Sequence, residues 1–391
     1  MVNPLHQKKI ERIDTLTSLR FFAVTLIVLH HSVGHFGISR EGLGPFAFDH
    51  AVSYFFILSG FVMVYVYGDL QGRDTCQRFF IARFARLWPA HVLTGLFFLF
   101  VILPAHGFIF NKHNILITFS NLFMFHSWIP ILDYFFSLNP PSWCVSTEFF
   151  FYLIFPFAIF KWQKTWIIKI TISLIILFLM VKLTEILNLP AAGKFNSKAC
   201  IEGMVYINPL SRTFEFLLGM TICLFWKKNI AIRRLGYYAG TIIEVIVLSL
   251  CVLSIYHTPL LIHQMSAVIG PVWITWLYHV FSVPAITLMI FFMALQKGLI
   301  SKILNLRLLV ILGEMSYSVF LIHHIIIYLY HMHIECKLPA QRMEDYVIYW
   351  IVLLISSCLF WKYVEEPLRR LILRFADSKM SIKALPLTSN I

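Results

Sequence analysis

Arg20 and His31 lie eleven residues apart in the apolar stretch TLTSLRFFAVTLIVLHHSVGHF, residues 15–36. Eleven helical steps of 100° come to about 20° beyond three full turns, so the two share one face, about 16 Å apart along the axis. His30 falls about 80° to the side of that face. Arginine supplies a fixed cation. Histidine, with an ordinary pKa of about 6.5, supplies a base or a nucleophile. A charge inside a membrane helix costs about 2.5–3.5 kcal/mol, so such residues turn to an interior or an aqueous cavity. Arg20 alone could snorkel from the helix end; His31 is deeper. His31 and His35 have the i, i+4 spacing of metal ligands, but no acidic or thiol partner stands nearby in the sequence, and no metal is expected.

Four further stretches carry candidate residues. In FFILSGFVMVY (55–65), Ser59 and Gly60 are small enough for two helices to approach closely. In RFFIARFARLWPAH (78–91), Arg83 and Arg86 are three apart, share a helical face at the membrane surface, and could clamp phosphate groups or merely anchor the segment. In PSWCVSTEFFFYLIFP (141–156), Glu148 and Tyr152 are i, i+4, and a carboxylate at that depth requires a cationic or hydrogen-bonding partner. LGEMSYSVFLIHH (312–324) brings Ser316, Tyr317 and His323, and VEEP (364–367) follows at the end of the last apolar run.

These residues need elements to hold them. The chain has 391 residues, 59% hydrophobic and only 13% charged, against about a quarter charged in a soluble domain. Apolar runs of membrane-spanning length recur. The reading is an all-α polytopic transmembrane bundle of about ten spans, near 16–36, 49–68, 89–110, 142–160, 165–186, 209–226, 236–256, 267–295, 308–333 and 344–366. Residues 113–128 are too short and polar to span and read as an interfacial or re-entrant helix. With the N-terminus inside, inner segments hold 21 lysines and arginines and outer loops hold 6, which places both termini in the cytoplasm. No cleavable signal peptide is read at the N-terminus. One membrane domain is expected over 1–375, with a short cytoplasmic tail at 376–391. The net charge of +13 sits in short loops, as topology requires, so nucleic acid is not an expected partner. The seven cysteines show no CxxC pair. Cys200 and Cys336 fall in predicted exterior loops, and whether they pair is left open.

The motifs, in their order, resemble the acyltransferase-3 family of membrane acyltransferases over roughly residues 14–370. Arg20 and His31 match its R-x10-H signature. FFILSGF resembles its second-span motif, and Arg83 to Arg86 its RxxR. SWCVSTEFFFY resembles SWSLSVEEQFY, SYSVFLIH resembles SYxxYLxH, and VEEP resembles EKP. Phe149 stands where many members have a second glutamate, which puts the weight on Glu148; Glu366 replaces a usual lysine.

The resemblance implies a multi-pass protein of the bacterial inner membrane that moves an acyl group, usually acetyl, from cytoplasmic acyl-CoA to a hydroxyl of an extracytoplasmic glycan. O-antigen, another surface polysaccharide, peptidoglycan or a lipid-linked sugar would serve as acceptor, and some members of the family act on small molecules. Acyl-CoA would be a co-substrate, with no resident cofactor. His31 and Glu148 are then the catalytic candidates, and Arg20, Arg83 and Arg86 the acyl-CoA-binding ones. Ser142, Trp143, Tyr152, Ser316, Tyr317 and His323 are supporting candidates. His31 could act as base for direct transfer or carry the acyl group transiently. The competing reading is a transporter or flippase for a glycan or lipid-linked precursor. Such proteins often show internal hydropathy repeats, and none is visible here.

Overall fold

The structure is a computed structural model. It describes residues 11–36, 41–68, 70, 72–105, 109, 111–193, 198–229, 234–332 and 343–379. Their regular structure is helical; the sole extended pairing among them is an isolated bridge between Ile131 and Ala199. Fifteen helices position everything discussed below: α1 Asp14–Ser32, α2 Ala51–Tyr67, α3 Arg73–Phe97, α4 Lys112–Leu122, α5 Trp143–Ile159, α6 Trp162–Ile186, α7 Pro209–Lys228, α8 Tyr237–Met265, α9 Pro271–Val280, α10 Val283–Met293, α11 Leu299–Leu304, α12 Arg307–Glu314, α13 Ser316–Tyr330, α14 Met343–Phe360 and α15 Glu366–Lys379.

Seven helical segments are long and apolar enough to cross a membrane, and an eighth if α12 and α13, bent by 59°, count as one span. Helices α1 and α7 occupy the expected first and sixth spans. Both carry internal charge, Arg20 in α1 and Arg212 with Glu215 in α7. The third helix starts at Arg73 instead of near residue 89. Arginines in this stretch suggest a surface segment, but Arg78 and Arg83 are buried against protein, so the helix runs on through them. The expected eighth span is two helices, α9 and α10. After α14 the chain continues through a π-helical turn, Trp361–Glu365, into α15. Helix therefore extends past residue 376 to Lys379; the remainder of the expected tail lies outside the described residues. Helix α4, eleven residues long, is too short to span.

Helices α1, α2 and α7 form the centre. The α2–α7 contact is as close as backbones allow. A Cβ on Gly60 would run into the Phe216 carbonyl, and one on Gly219 into the Ile57 carbonyl. Ser59-Gly60 is thus the close-packing point its residue types suggested. Gly313 does the same for α12, which lies against the Thr17 carbonyl of α1. Polar bonds fix α1 further: Tyr54 donates to the Leu16 carbonyl (2.9 Å), and Thr15 to Asn305 Oδ1 (2.8 Å). Around this centre, α6, α8 and α14 turn Ile167, Ile168, Val252, Leu253, Ile351 and Ile355 outward, each at least half exposed. An apolar rim of that kind belongs in lipid.

Candidate functional site

A cavity of about 1190 Å³, counting its open mouth, runs between α1, α2, α3, α5 and α13. Arg20, Arg83, Arg86, Glu148, Tyr152, Ser316 and Tyr317 all line it. Residues scattered over three hundred positions are thus brought to one space.

Each is held for a local reason. Glu148 and Tyr152 sit one turn apart on α5, and the Tyr152 hydroxyl donates to Glu148 Oε1. Arg83 is only 5% exposed. Its Nη2 donates to the Tyr67 hydroxyl (3.0 Å), and its guanidinium lies 5.2 Å from the Tyr67 ring and 5.8 Å from that of Tyr152. Arg20 feels Arg86, Glu148 and Glu365 as its charged neighbours. Tyr317 donates to the Leu87 carbonyl (2.9 Å), tying α13 to α3. The Ser316 hydroxyl is buried and has no hydrogen-bond partner among the described residues.

Three supporting candidates lie elsewhere: Ser142, Trp143 and, beside His31, His323. Ser142 is fully buried, 3.3 Å from His126 Nε2 and 3.4 Å from Asn121 Nδ2. It joins the polar cluster that pins α4 and the following turn to α5. Trp143 packs on Phe56 and Tyr206. Neither lines the cavity. Cys200 is buried, with its Sγ accepting from Gly203 N–H (3.4 Å); Cys336, its suggested partner, lies outside the described residues.

His31 stands just past the cavity. The lining reaches Ile27 on α1 and Phe320 on α13, and His31 is one turn beyond Ile27, about 6 Å along the axis. There His31 Nδ1 meets His323 Nε2 at 3.0 Å, with ring centroids 5.1 Å apart and planes at 20°. His35 does not join His31. It pairs with His331, Nδ1 to Nε2, at 2.6 Å. Each histidine of the i, i+4 pair therefore finds its own partner beyond α1. His324, with its ring 4.6 Å from that of His31, completes a group whose donor nitrogens all lie within 4.8 Å of one another, a spacing that a metal ion could bridge.

A second cavity shares Arg12, Thr17, Arg20 and Arg86 with the first. It adds Lys362, Arg369, Arg370 and Arg374, making seven basic side chains against three glutamates, Glu314, Glu365 and Glu366. Arg12 is paired with Glu314 and, at 2.6 Å, with Asp14. Ser318 donates to Glu365. Glu366 holds Arg369 (3.2 Å) and Arg370 (2.7 Å). Tyr67, Glu365, His324 and the arginines of α15 were not singled out in the sequence. The signal for Glu365 was present in VEEP, since a glutamate at the end of an apolar run needs a partner. Another buried pair was also legible: Arg212 and Glu215, i, i+3 within the sixth apolar run, lie 3.0 Å apart and essentially unexposed. Arg212 also donates to Ser53 Oγ (3.0 Å).

An all-helical bundle with a lipid-suited rim and polar cavities inside defines a polytopic membrane protein. The chain belongs to the acyltransferase-3 family, whose model, described as an acyltransferase domain, matches residues 13–363. It is similar to the acyltransferase MdmB of Streptomyces mycarofaciens, 32% identical over 38% of this chain and 39% of that protein. It is also similar to the O-acetyltransferase OatA of Staphylococcus aureus (strain NCTC 8325 / PS 47), 26% identical over 91% of this chain and 57% of that protein. The chain thus spans well under two thirds of the length of either relative. No solved structure matches it.

Proposed function

We propose that the chain is an O-acyltransferase that moves an acyl group, acetyl, from acyl-CoA on the cytoplasmic side to a hydroxyl of an extracytoplasmic glycan, in a bacterial inner membrane with both chain termini inside. The observation that carries this reading is the pair of neighbouring cavities that share Arg12, Thr17, Arg20 and Arg86: a basic cleft, and beside it a cavity whose lining runs from those arginines to Ile27, one turn short of His31. Acyl-CoA has this polarity, with phosphates at one end and a thioester at the end of a flexible arm. Guanidinium groups bind phosphates in forks. The roughly 16 Å between Arg20 and His31 suits the arm. The names of MdmB and OatA agree with acyl transfer and, for OatA, with transfer of acetyl to oxygen.

In this reading His31 takes the proton from the acceptor hydroxyl. The oxygen attacks the thioester carbonyl, a C–O bond forms, the C–S bond breaks, and the departing CoA thiolate receives the proton. Glu148, bonded to Tyr152, orients the thioester or the acceptor. The test supplies membranes holding the protein, or its His31→Ala variant, with radiolabelled acetyl-CoA and a glycan extract. Label in the glycan that depends on His31 is expected. Undiminished labelling by His31→Ala would remove His31 from the chemistry. Acetyl-CoA left intact by the wild type would overturn the choice of donor.

A further inference from the structure

We infer that His323 is a positioning residue that fixes the proton of His31 on Nδ1 and so leaves His31 Nε2 bare for the acceptor hydroxyl; the inference rests on His31 being the base. Two distances define the proton positions. His323 Nδ1 lies 2.6 Å from the Phe320 carbonyl oxygen. A carbonyl only accepts, so that nitrogen carries the hydrogen, and in neutral His323 the Nε2 is bare. His323 Nε2 lies 3.0 Å from His31 Nδ1. A hydrogen bond there needs one hydrogen, and only His31 can supply it. His31 Nδ1 is therefore the protonated nitrogen and His31 Nε2 holds the lone pair.

The opposite tautomer would present an N–H where the hydroxyl must lose its proton, and transfer would stall. His323 is completely buried, so water does not compete for its Nε2. Once His31 Nε2 has taken the hydroxyl proton, the imidazolium still donates Nδ1–H to His323. His323 stays neutral, with its own hydrogen on the Phe320 carbonyl. The proton then leaves Nε2 for the CoA thiolate, and the pair returns to its starting state. The logic is that of a carboxylate orienting a catalytic histidine, with a buried imidazole fixed by a carbonyl in the carboxylate's place.

The experiment measures acetyl transfer by the full chain in membranes. His323→Phe fills the space without an acceptor and should lower kcat about 100-fold, with KM for acetyl-CoA changed by no more than about twofold. His323→Gln offers a side-chain oxygen to His31 Nδ1–H and should keep at least about ten times the kcat of His323→Phe. The third arm places Nδ-methylhistidine at position 31 in a His323→Ala background. The methyl group forces the lone pair onto Nε2, doing by covalent means what His323 does by hydrogen bonding, and should raise kcat about tenfold over His323→Ala alone. A packing role would be met by Phe and would be indifferent to the methyl group. Equal activity of the Phe and Gln variants, or no rescue by the methyl group, overturns the inference. If His323→Phe does not fold, the methyl arm decides. Full activity of His31→Ala would instead sink the base assignment, whatever His323 does.

Discussion

Arg83 donates to the Tyr67 hydroxyl at 3.0 Å while its guanidinium lies 5.2 Å from the same ring. A tyrosine on α2 thereby aims an arginine of α3 into the cavity. Tyr67→Phe keeps the ring and removes the bond. One hydrogen bond is worth about 0.5–1.5 kcal/mol, so KM for acetyl-CoA should rise about 2- to 12-fold with kcat nearly unchanged. Steady-state kinetics over a range of acetyl-CoA concentrations check this. A change confined to kcat would mean that Arg83 does not act in donor binding.

The basic cleft calls for a charge test. Acetyl-dephospho-CoA lacks one phosphate. If the arginines of α15 hold it, KM for this donor should be about tenfold above that for acetyl-CoA in the wild type, and the difference should shrink in Arg369→Ala with Arg374→Ala. High salt should weaken the normal donor more than the truncated one. Equal KM values in the wild type would place that phosphate outside the cleft.

Glu148 and Tyr152 can be separated. Glu148→Gln leaves the shape and removes the charge beside Arg20, and should lower kcat by about 100-fold if the carboxylate helps the reacting groups. Tyr152→Phe removes the hydroxyl but leaves the ring beside Arg83, and should cost about tenfold or less. A Tyr152→Phe loss equal to that of Glu148→Gln would make the hydroxyl as important as the carboxylate.

Chelation tests the imidazole group. His31 acting as a base needs no metal, so prolonged dialysis against EDTA should leave the transfer rate unchanged. Loss of transfer, restored by added Zn²⁺, would assign His31, His323 and His324 to a metal and withdraw His31 as the proton acceptor.

Stability predictions fall on the glycines. Gly60→Ala places a methyl group against the Phe216 carbonyl of α7. Overpacking of this kind costs about 1–3 kcal/mol, and the thermal midpoint in detergent should drop accordingly. An unchanged midpoint would show that α2 and α7 can part without penalty.

Much of this was legible in the sequence because charge inside apolar runs is rare and has to be accommodated. Arg20, Glu148 and the arginine pair announced themselves, and the structure brings them to one cavity. Glu148 with Tyr152 was a matter of helical spacing alone. Three-dimensional pairing was less legible. Tyr67 looks like any aromatic residue at the end of a span. His324 follows His323 directly, and nothing in the order of residues says that both approach His31. The start of α3 was misplaced because arginines read as surface residues until Tyr67 and Tyr152 are seen beside Arg83. Ser142 opens the SWCVSTEFFFY motif, but it holds His126 and Asn121 in place.

The 59° bend at Met315 has a mechanical consequence. Glu314, on one side of it, is tied to Arg12 at the cleft; His323, on the other, lies eight residues along α13, about 12 Å from the bend. The two segments meet at that corner, and α13 is pinned just beyond it by the bonds of Tyr317 to the Leu87 carbonyl and of Ser318 to Glu365. A swing of about 5° would carry His323 by about 1 Å, a displacement of the size that separates a productive geometry from an idle one. The corner that sets the direction of α13 thus also sets where His323 stands against His31.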